Sequence, residues 1–530
     1  GRDSRLILGE HVLVDNGTGC VHTAPGHGED DYRIGLVYDL EVIMPVDETG
    51  CFDETVVHDK LIPNAEDFVG QHIFKSNDAI IELIGDAMLK VSKFTHSYPH
   101  CWRSHTPLIF RATRQWFISV DEKPIGEDRT LRNIALSEIE KTMFMPQTGR
   151  NRLKSMVENR PDWCISRQRD WGVPIAFFRV KATGEVILDE KVLNYTAMIF
   201  EMQGSDAWYS MPTEHLLYPG SGYKADEVEK VTDILDVWFD SGSTWNSVLK
   251  SRNYDAGEYQ ADLYVEGSDQ HRGWFQSSLF LSAAVAHKAP YKGVLTHGFT
   301  VDDKGEKMSK SKGNVIAPEK VLKEYGSEIL RLWVASSDYQ GDLKISQGIL
   351  KQISENYRKL RNTFRIMLAN INDLESLTPY EEMGALDKWI LDVASKVLGH
   401  VHKSFSEYNF VNGMSALNNF IANELSGMYI DMTKDSLYCN AKNDPRRMAS
   451  QSAMAIITKN LLLLMAPILT YTADEIIEYA PTIIKGEAAS IFDLVYEDIK
   501  TGASSFNADY MVKAREGFGS VVDKLKKEKI

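Results

Sequence analysis

The stretch DLYVEG at residues 262–267 decides the fold, together with a helical pattern over residues 271–287 and the run GVLTH at residues 293–297. Each short run is apolar and rich in β-branched or aromatic residues, which is typical of a buried strand. A strand, an apolar helix and a second strand in this order predict a βαβ unit with parallel strands. Ligands of such sheets bind beyond the carboxyl ends of the strands. Glu266 and His297 lie at these ends and are therefore candidate binding residues.

Polar residues follow the first strand directly, in the string EGSDQHRGW at residues 266–274. The carboxylates of Glu266 and Asp269 can hold an ammonium group and ribose hydroxyls, and Gly267 lets a ligand approach the backbone. Trp274 can form the wall of an apolar pocket. The residues alone leave an alternative open, a strand-end turn followed by an N-capped helix with no ligand.

Residues 307–314 read KMSKSKGN, in which three lysines alternate with small hydroxyl residues before Gly-Asn. This composition predicts a mobile cationic loop. Lysine on its flexible stem can follow phosphate charge, so the loop suits a triphosphate that releases pyrophosphate. Short basic runs are also common as solvated turns, and that remains the alternative.

Two other strings combine tryptophan with charge. The string DILDVWFDSGS at residues 233–243 predicts a strand and a tight turn, in which Trp238 is either a core aromatic residue or a pocket wall. The string WCISRQRDWGVP at residues 163–174 predicts a cationic strand and loop.

Histidines and carboxylates are concentrated near the start of the chain, in DNGTGCVHTAPGHGEDDY at residues 15–32. His22, His27 and Asp31 lie there among glycines. A metal site, a hydrolytic pocket and a turn-rich loop without a ligand are all compatible with these residue types. A second cluster, His96, His100, Cys101 and His105, has no CxxC pair, so we do not expect a metal site there.

The composition is that of a globular protein of several domains. The chain has 530 residues, 43% of them hydrophobic, and a formal charge of −16. The first residues show no signal-peptide pattern and the longest apolar stretch is interrupted by Pro467, so we expect a cytoplasmic protein without a membrane span. Five scattered cysteines indicate reduced thiols. Basic stretches at residues 150–169 and 351–365 leave nucleic-acid binding open despite the acidic total.

The pattern changes along the chain and predicts an α/β part followed by an all-α part. Short β-rich runs at residues 11–14 and 42–44 precede a helical pattern near 77–90. After about residue 345, apolar residues recur at three- and four-residue spacing, which predicts a helix bundle. The predicted segments are 1–95, 96–178, 179–232, 233–300, 301–348 and 349–530.

The strings KMSKS, EGSDQHRGW, DVWFDSGS and WCISRQRxWGVP together resemble the bacterial-type isoleucyl-tRNA synthetases, a family of class I aminoacyl-tRNA synthetases. The resemblance implies that residues 1–95 are the carboxy-terminal part of a β-rich editing domain. Residues 96–178 would return to the catalytic domain, and 179–232 would be a small insertion. Residues 233–300 would be the second half of a Rossmann-like catalytic domain. Residues 301–348 would carry the KMSKS loop and contact the tRNA stem, and the bundle at 349–530 would bind the anticodon.

The resemblance also implies roles for individual residues. It assigns Lys307 and Lys310 to catalysis at the β- and γ-phosphates of ATP, and Trp238 and Trp274 to the isoleucine pocket. The segment GTGxVHxAPxHGxxD is similar to the editing domains of isoleucyl, valyl and leucyl enzymes, which assigns His22, His27 and Asp31 to editing. The residues implied to hold ATP or the adenylate are Glu266, Gly267, Asp269, Gln270, His297 and Lys310.

The implied activity is the formation of isoleucyl-adenylate from L-isoleucine and Mg-ATP, transfer to tRNA(Ile), and hydrolysis of mischarged valyl-tRNA(Ile). A monomer is expected, and zinc is not, because relatives carry a CxxC where this chain has Cys101-Trp-Arg-Ser104. The chain starts with Gly and contains no HIGH motif, so we expect an internal fragment that lacks the HIGH-containing part and the carboxy-terminal end and is inactive alone. Two alternatives remain: a valyl- or leucyl-type enzyme, and a non-catalytic tRNA-binding paralogue.

Overall fold

The structure is a computed structural model that describes residues 4–13, 18–93, 95–101, 104–169, 171–251, 259–502 and 509–528. The chain divides into two compact units. One comprises residues 1–118 with 164–166, and the other comprises residues 119–163 with 167–530.

The first unit is built from short helices joined by irregular segments. Its helices and 3₁₀ turns are Glu29–Val37, Thr55–His58, Ala65–Asp67, Ile73–Lys75, Asn77–Ile84 and Gly85–Ala87, and the strand Phe117–Ile118 ends it. The helix predicted near residues 77–90 is confirmed, in a shorter form. Buried apolar side chains form a small core of Val46, Val56, Ala65 and Phe68.

The β-rich prediction for residues 11–14 and 42–44 is wrong for the residues that the structure describes. Residues 11–13 and 42–44 are irregular, and residue 14 lies outside the described residues. Nearby pairing consists of isolated bridges such as that of Val46 with Phe52. A short apolar run forms a strand only where neighbouring strands satisfy its backbone and a core covers one face. Leu13 is instead 65% exposed.

The second unit contains a three-stranded parallel sheet in the order Met143–Met145, Gly293–His297, Tyr264–Gly267. The helix Trp274–Ala286 connects the last two strands, and its residues from Phe275 to Ala283 are all buried. The predicted βαβ unit is therefore confirmed. The helices Leu131–Lys141 and Thr148–Glu158 flank the first strand in sequence.

A separate hydrophobic cluster is formed by residues 178–228. The strands Phe178–Val180 and Val228–Lys230 of this segment pair in antiparallel fashion. Trp208 and Phe178 are fully buried at its centre, with ring centroids 4.9 Å apart. The helices of this segment are Glu190–Gln203, Ala207–Ser210 and Thr213–Leu216. Three further short strands are Trp163–Cys164, Ser166–Arg167 and Ile234–Leu235.

A short parallel pair, Thr300–Val301 with Leu343–Lys344, closes the segment that carries the lysine-rich loop. The helices Pro318–Tyr325 and Ser327–Ala335 lie within this segment. The first strand of the pair begins three residues after His297. The chain that leads into the loop therefore starts next to the end of the central sheet.

The rest of the chain is helical, as predicted. Its buried apolar side chains form one core that extends from Val321 to Ile499. The longest elements are Gln347–Ile371, Ala385–Ser406 and Pro445–Met465, and the others are Tyr380–Glu382, Phe410–Asn419, Phe420–Ile430, Asp431–Cys439, Thr470–Tyr479, Thr482–Lys485, Ile491–Asp493 and Asp509–Lys527.

Among the described residues, Pro445–Met465 is the one helix long and apolar enough to cross a bilayer. In its most apolar window, 78% of the residues are buried inside the bundle. The central helix of a bundle core has this same length and composition.

Candidate functional site

Two strand ends meet at one edge of the central sheet. Glu266 is in register with Thr296, and Gly267 with His297, where the two parallel strands finish. The ring Nδ1 of His297 lies 2.8 Å from the carbonyl oxygen of Gly298. The sequence prediction that Glu266 and His297 share an edge is confirmed.

A cavity of about 330 Å³ lies beyond this edge. Four of its lining residues are Trp238, Glu266, Gln270 and Trp274, all of them candidates from the sequence. The other two, Ser241 and Thr244, were missed by the sequence analysis. Ser241 belongs to the DVWFDSGS string and Thr244 follows it. Their position close to Trp238 in the sequence was the signal that could have identified them as lining residues.

The indole of Trp274 is fixed from several sides. Its ring stacks on Tyr264 with centroids 4.0 Å apart and an interplanar angle of 11°. Its Nε1–H donates to the carbonyl oxygen of Ser241 at 2.9 Å, and its backbone N–H donates to Oε1 of Gln270 at 2.9 Å. One wall of the cavity is therefore held in a defined orientation.

Trp238 forms a second wall and is 40% exposed. Its helix, Val237–Gly242, begins at Asp236, whose carboxylate accepts the Trp238 N–H at 3.3 Å. The buried Asp236 also accepts from Trp163 Nε1 at 3.3 Å and pairs with Arg167 at 2.9 Å. The strings that contain Trp163 and Trp238 are therefore joined through one carboxylate. A Cβ at Gly273 would lie 2.9 Å from the Trp238 ring, so glycine permits this packing.

Asp269 lies on the 3₁₀ turn Ser268–His271 and does not line the cavity. Its Oδ2 accepts from Nε2 of Gln270 at 3.1 Å, which orients the Gln270 amide. A Cβ at Gly267 would lie 2.7 Å from Oδ1 of Asp269, so a larger residue there would displace the Asp269 carboxylate. His271 is buried behind the turn, and burial lowers its pKa, which favours the neutral ring.

The lysine-rich loop is held by its hydroxyl and amide side chains. Oδ1 of Asn314 accepts the Ser309 N–H at 2.9 Å, and its Nδ2 donates to Oδ2 of Asp302 at 2.9 Å. That hydrogen bond is the main cause of a lowered pKa of the Asp302 carboxyl. Asn314 therefore ties the two ends of the loop together.

The three lysines of this loop differ in their pairing. Lys312 forms an ion pair with Glu306 at 3.1 Å. Lys307 and Lys310 are exposed, and neither has an ion-pair partner within the part of the chain that the structure describes. Their charge is therefore available for a ligand.

The three candidates in the first unit differ in their contacts. Oδ2 of Asp31, in the first turn of Glu29–Val37, accepts the Ala24 N–H at 3.0 Å. Nδ1 of His27 lies 3.0 Å from the Phe110 carbonyl oxygen, and His22 is exposed. The contacts of Asp31 and His27 thus stabilise the glycine-rich segment. The sequence did not predict this structural role. Residues 15–17, where the predicted editing string begins, lie outside the described residues.

The His96–His105 segment shows local contacts. Nδ1 of His96 lies 3.1 Å from the Ser97 carbonyl oxygen, and Nδ1 of His100 lies 2.9 Å from that of Tyr98. Across the described ranges, no group of three or more His, Cys, Asp or Glu side chains is arranged to hold a metal ion.

Two family models match the chain. The model for class I tRNA synthetases (I, L, M and V) matches residues 27–346, and the model for the anticodon-binding domain of tRNA ligases matches residues 387–530. The first match alone covers more than half of the chain and contains the whole cavity and the lysine-rich loop.

Curated relatives match over the full length of the chain. The isoleucine–tRNA ligase of Sulfurimonas denitrificans is 81% identical over 530 residues, which are all of this chain and 58% of the relative. That of a Nitratiruptor species is 66% identical over 530 residues, which are all of this chain and 57% of the relative. The chain therefore spans a little under three fifths of the length of these relatives.

Among solved structures, methionyl-tRNA synthetase of Mycobacterium tuberculosis in complex with methionyl-adenylate is similar, with a TM-score of 0.51 and 18% identity. The match covers 78% of this chain and 71% of that one. At this identity the likeness supports the fold, a class I catalytic domain followed by helices.

Proposed function

The chain belongs to the class I tRNA synthetases, and we propose that it provides the adenylate site, the KMSKS loop and the anticodon-binding bundle of an isoleucine–tRNA ligase. The observation that carries the proposal is the cavity that joins Trp238 and Trp274 to Glu266 and Gln270 at the ends of the strands. The term full-length protein denotes a polypeptide of the relatives' length that contains these 530 residues.

The cavity has the composition that an aliphatic amino acid requires. Trp238 and Trp274 offer apolar walls for the side chain of L-isoleucine, and Glu266 offers a carboxylate for an ammonium group. Gln270, oriented by Asp269, adds an amide that can bind polar groups of the adenylate. Gly267 and His297 pair with each other at the ends of the two strands. We assign them to the nucleotide part of the same ligand.

The lysine-rich loop supplies positive charge for the triphosphate. Lys307 and Lys310 carry charges without ion-pair partners among the described residues, whereas Lys312 is paired with Glu306. We assign the first two to the β- and γ-phosphates of Mg-ATP, which is a substrate here. Charge directed at the departing group stabilises the transition state more than the ground state.

The reaction then has two steps. A carboxylate oxygen of isoleucine attacks the α-phosphorus of ATP in line, the bond to the bridging oxygen breaks, and pyrophosphate leaves. A terminal ribose hydroxyl of tRNA(Ile) next attacks the carbonyl carbon of the adenylate, loses its proton, and releases AMP. Neither step needs a covalent enzyme intermediate, so positioning and charge stabilisation are sufficient.

The bundle offers a basic surface for tRNA. Five basic residues of the helix Gln347–Ile371 are exposed: Lys351, Arg358, Lys359, Arg361 and Arg365. Arg358 pairs with Glu355 and Arg361 with Glu475. The other basic stretch is less available, because Lys154 pairs with Glu140 at 2.7 Å and Arg160 contacts Gln276 at 2.5 Å. We therefore assign the phosphate contacts of the helical part to the 351–365 stretch.

Hydrolytic editing is the second activity that we propose. Isoleucine and valine differ by one methylene group, and an apolar pocket alone discriminates weakly between them. The glycine-rich segment with His22, His27 and Asp31 is the candidate site. The carboxylate of Asp31 would hold the ammonium group of valyl-tRNA(Ile), and His22, which is exposed, would lie near the attacking water.

ATP–pyrophosphate exchange tests this proposal. The full-length protein should exchange pyrophosphate with isoleucine in preference to valine and leucine. A preference for valine or leucine would identify a valyl- or leucyl-type enzyme. Binding of tRNA without exchange would identify a non-catalytic paralogue. The 530-residue chain contains no HIGH motif, so we expect no exchange from it alone, and detectable exchange would overturn that expectation.

A further inference from the structure

Thr244 lines the cavity but has no part in the chemistry proposed above. It follows the helix Val237–Gly242, which carries Trp238, and precedes the helical turn Trp245–Lys250. Its side chain is of a size that can contact a ligand, yet its hydroxyl is directed to the protein.

The hydroxyl of Thr244 and the indole of Trp274 share one acceptor. Thr244 Oγ1–H donates to the carbonyl oxygen of Ser241 at 2.9 Å, and Trp274 Nε1–H donates to the same oxygen at 2.9 Å. A carbonyl oxygen has two lone pairs, so both bonds are satisfied together. The two donors therefore share the acceptor capacity of one oxygen, so the hydroxyl of Thr244 and the indole of Trp274 are held against the same carbonyl.

The indole is also held by a second side chain. Tyr264 stacks on Trp274 with centroids 4.0 Å apart and an interplanar angle of 11°. The stack fixes the plane of the indole, and the hydrogen bond to the Ser241 carbonyl fixes its rotation within that plane. Thr244 shares the second of these contacts.

We propose that Thr244 is a positioning residue for amino-acid selection, and that it acts through the Ser241 carbonyl to hold the Trp274 wall of the cavity. The effect on selection rests on the function proposed above. The effect on the Trp274 ring does not, because it follows from contacts within the chain.

Two substitutions separate the hydroxyl from the bulk of the side chain. Thr244→Val keeps the shape and removes the hydrogen bond, whereas Thr244→Ser keeps the hydroxyl and removes a methyl group. The matched control is Ser243→Ala, which removes a neighbouring hydroxyl–carbonyl bond, from Ser243 Oγ to the Asp240 carbonyl oxygen at 2.8 Å. Neither Ser241 nor Trp274 takes part in that hydrogen bond.

The first measurement uses the 530-residue chain labelled with 5-fluorotryptophan, with the Trp274 resonance assigned by Trp274→Phe. Thr244→Val should shift or broaden that ¹⁹F resonance, while Thr244→Ser and Ser243→Ala should leave it in place. An unchanged Trp274 resonance in a folded Thr244→Val chain would overturn the proposal, whatever the activity of the full-length protein.

The second measurement is pyrophosphate exchange by the full-length protein. Loss of one hydrogen bond that positions a wall should raise the KM for isoleucine about 3- to 10-fold with little change in kcat. Discrimination against valine should fall with it, and Thr244→Ser should restore both. A lower kcat at unchanged KM would contradict the proposal. Absence of exchange in the unsubstituted protein would instead contradict the proposed function.

Discussion

Gly267 and His297 pair backbone to backbone at the ends of two adjacent parallel strands. This pairing brings the segment that starts at Glu266 and the chain that leads into the lysine-rich loop to one edge of the sheet. The cavity and the chain that leads into the lysine-rich loop therefore lie at the same edge of the sheet. This arrangement is the basis of the proposed function.

Lys310→Ala should lower the rate of pyrophosphate exchange by the full-length protein about 100- to 1000-fold, a range typical for loss of one group that stabilises transition-state charge. Lys307→Ala should act in the same direction. Lys312→Ala is the matched control, because its charge is already paired with Glu306, and its effect should be much smaller. Equal effects of Lys310→Ala and Lys312→Ala would contradict the assignment of the loop.

Glu266→Gln should raise the KM for isoleucine, because the side chain lines the cavity and its charge is removed at nearly constant size. Asp262→Asn is the control in the same chain segment, since Asp262 pairs with Lys292 at the other end of the strand. Isoleucine titrations of the exchange rate compare the two variants. An unchanged KM in Glu266→Gln would exclude a contact with the amino group.

Asp31 accepts a hydrogen bond that stabilises the glycine-rich segment, and its charge is proposed to bind an ammonium group. One substitution can separate these two roles. Asp31→Asn keeps an oxygen that can accept the Ala24 N–H and removes the charge. In the full-length protein, this variant should accumulate valyl-tRNA(Ile) while its isoleucine exchange rate stays normal. Rapid hydrolysis of valyl-tRNA(Ile) by Asp31→Asn would show that the ammonium group is bound elsewhere.

Asp387 should make the helical bundle less stable as the pH rises. Burial raises the pKa of its carboxyl, although the hydroxyls of Tyr429 and Ser450 donate to it. Between the ordinary and the raised pKa, the folded state binds more protons than the unfolded state. The free energy of unfolding is therefore highest below the ordinary pKa and falls as the pH rises through the raised one.

Urea unfolding of the 530-residue chain, followed by helical circular dichroism from about pH 4 to pH 7, measures this slope. Asp387→Asn should flatten it, and the exposed Asp435→Asn in the same bundle should retain it. Parallel slopes for the two variants would contradict the role of Asp387.

Trp208→Ala should unfold the small segment between residues 178 and 230 and leave the central sheet intact. The side chain is fully buried, and its Nε1–H donates to the Val231 carbonyl oxygen at 2.8 Å. A cavity of this size costs about 3–5 kcal/mol. Hydrogen exchange should lose protection there and stay unchanged at Gly293–His297, with the half-exposed Tyr209→Ala as control. Loss of protection in the sheet would show that the segment is not independent.

Strand ends, glycines and tryptophans leave signals in short strings, so the strings that line the cavity could be singled out, while the roles of their residues in ligand binding stay predictions. Trp238, Trp274, Glu266 and Gln270 line one cavity as the strings indicated. Thr244 left no such signal, since its role depends on a carbonyl shared with a residue 30 positions away.

The first unit was predicted less well. Strand formation depends on partners that a short run does not specify, so residues 11–13 and 42–44 were misassigned. Asp31 was predicted as a ligand-binding carboxylate, and its hydrogen bond to Ala24 could not be inferred because the return of the chain is set by tertiary packing.

The most direct test of the central claim is ATP–pyrophosphate exchange by the full-length protein with isoleucine, valine and leucine in parallel. We predict the highest kcat/KM with isoleucine and about 10- to 200-fold less with valine, the range that one methylene allows and that isoleucine-specific enzymes themselves exhibit. We further predict loss of that exchange in Lys310→Ala. Equal or better exchange with valine or leucine, or full exchange in Lys310→Ala, would contradict the claim.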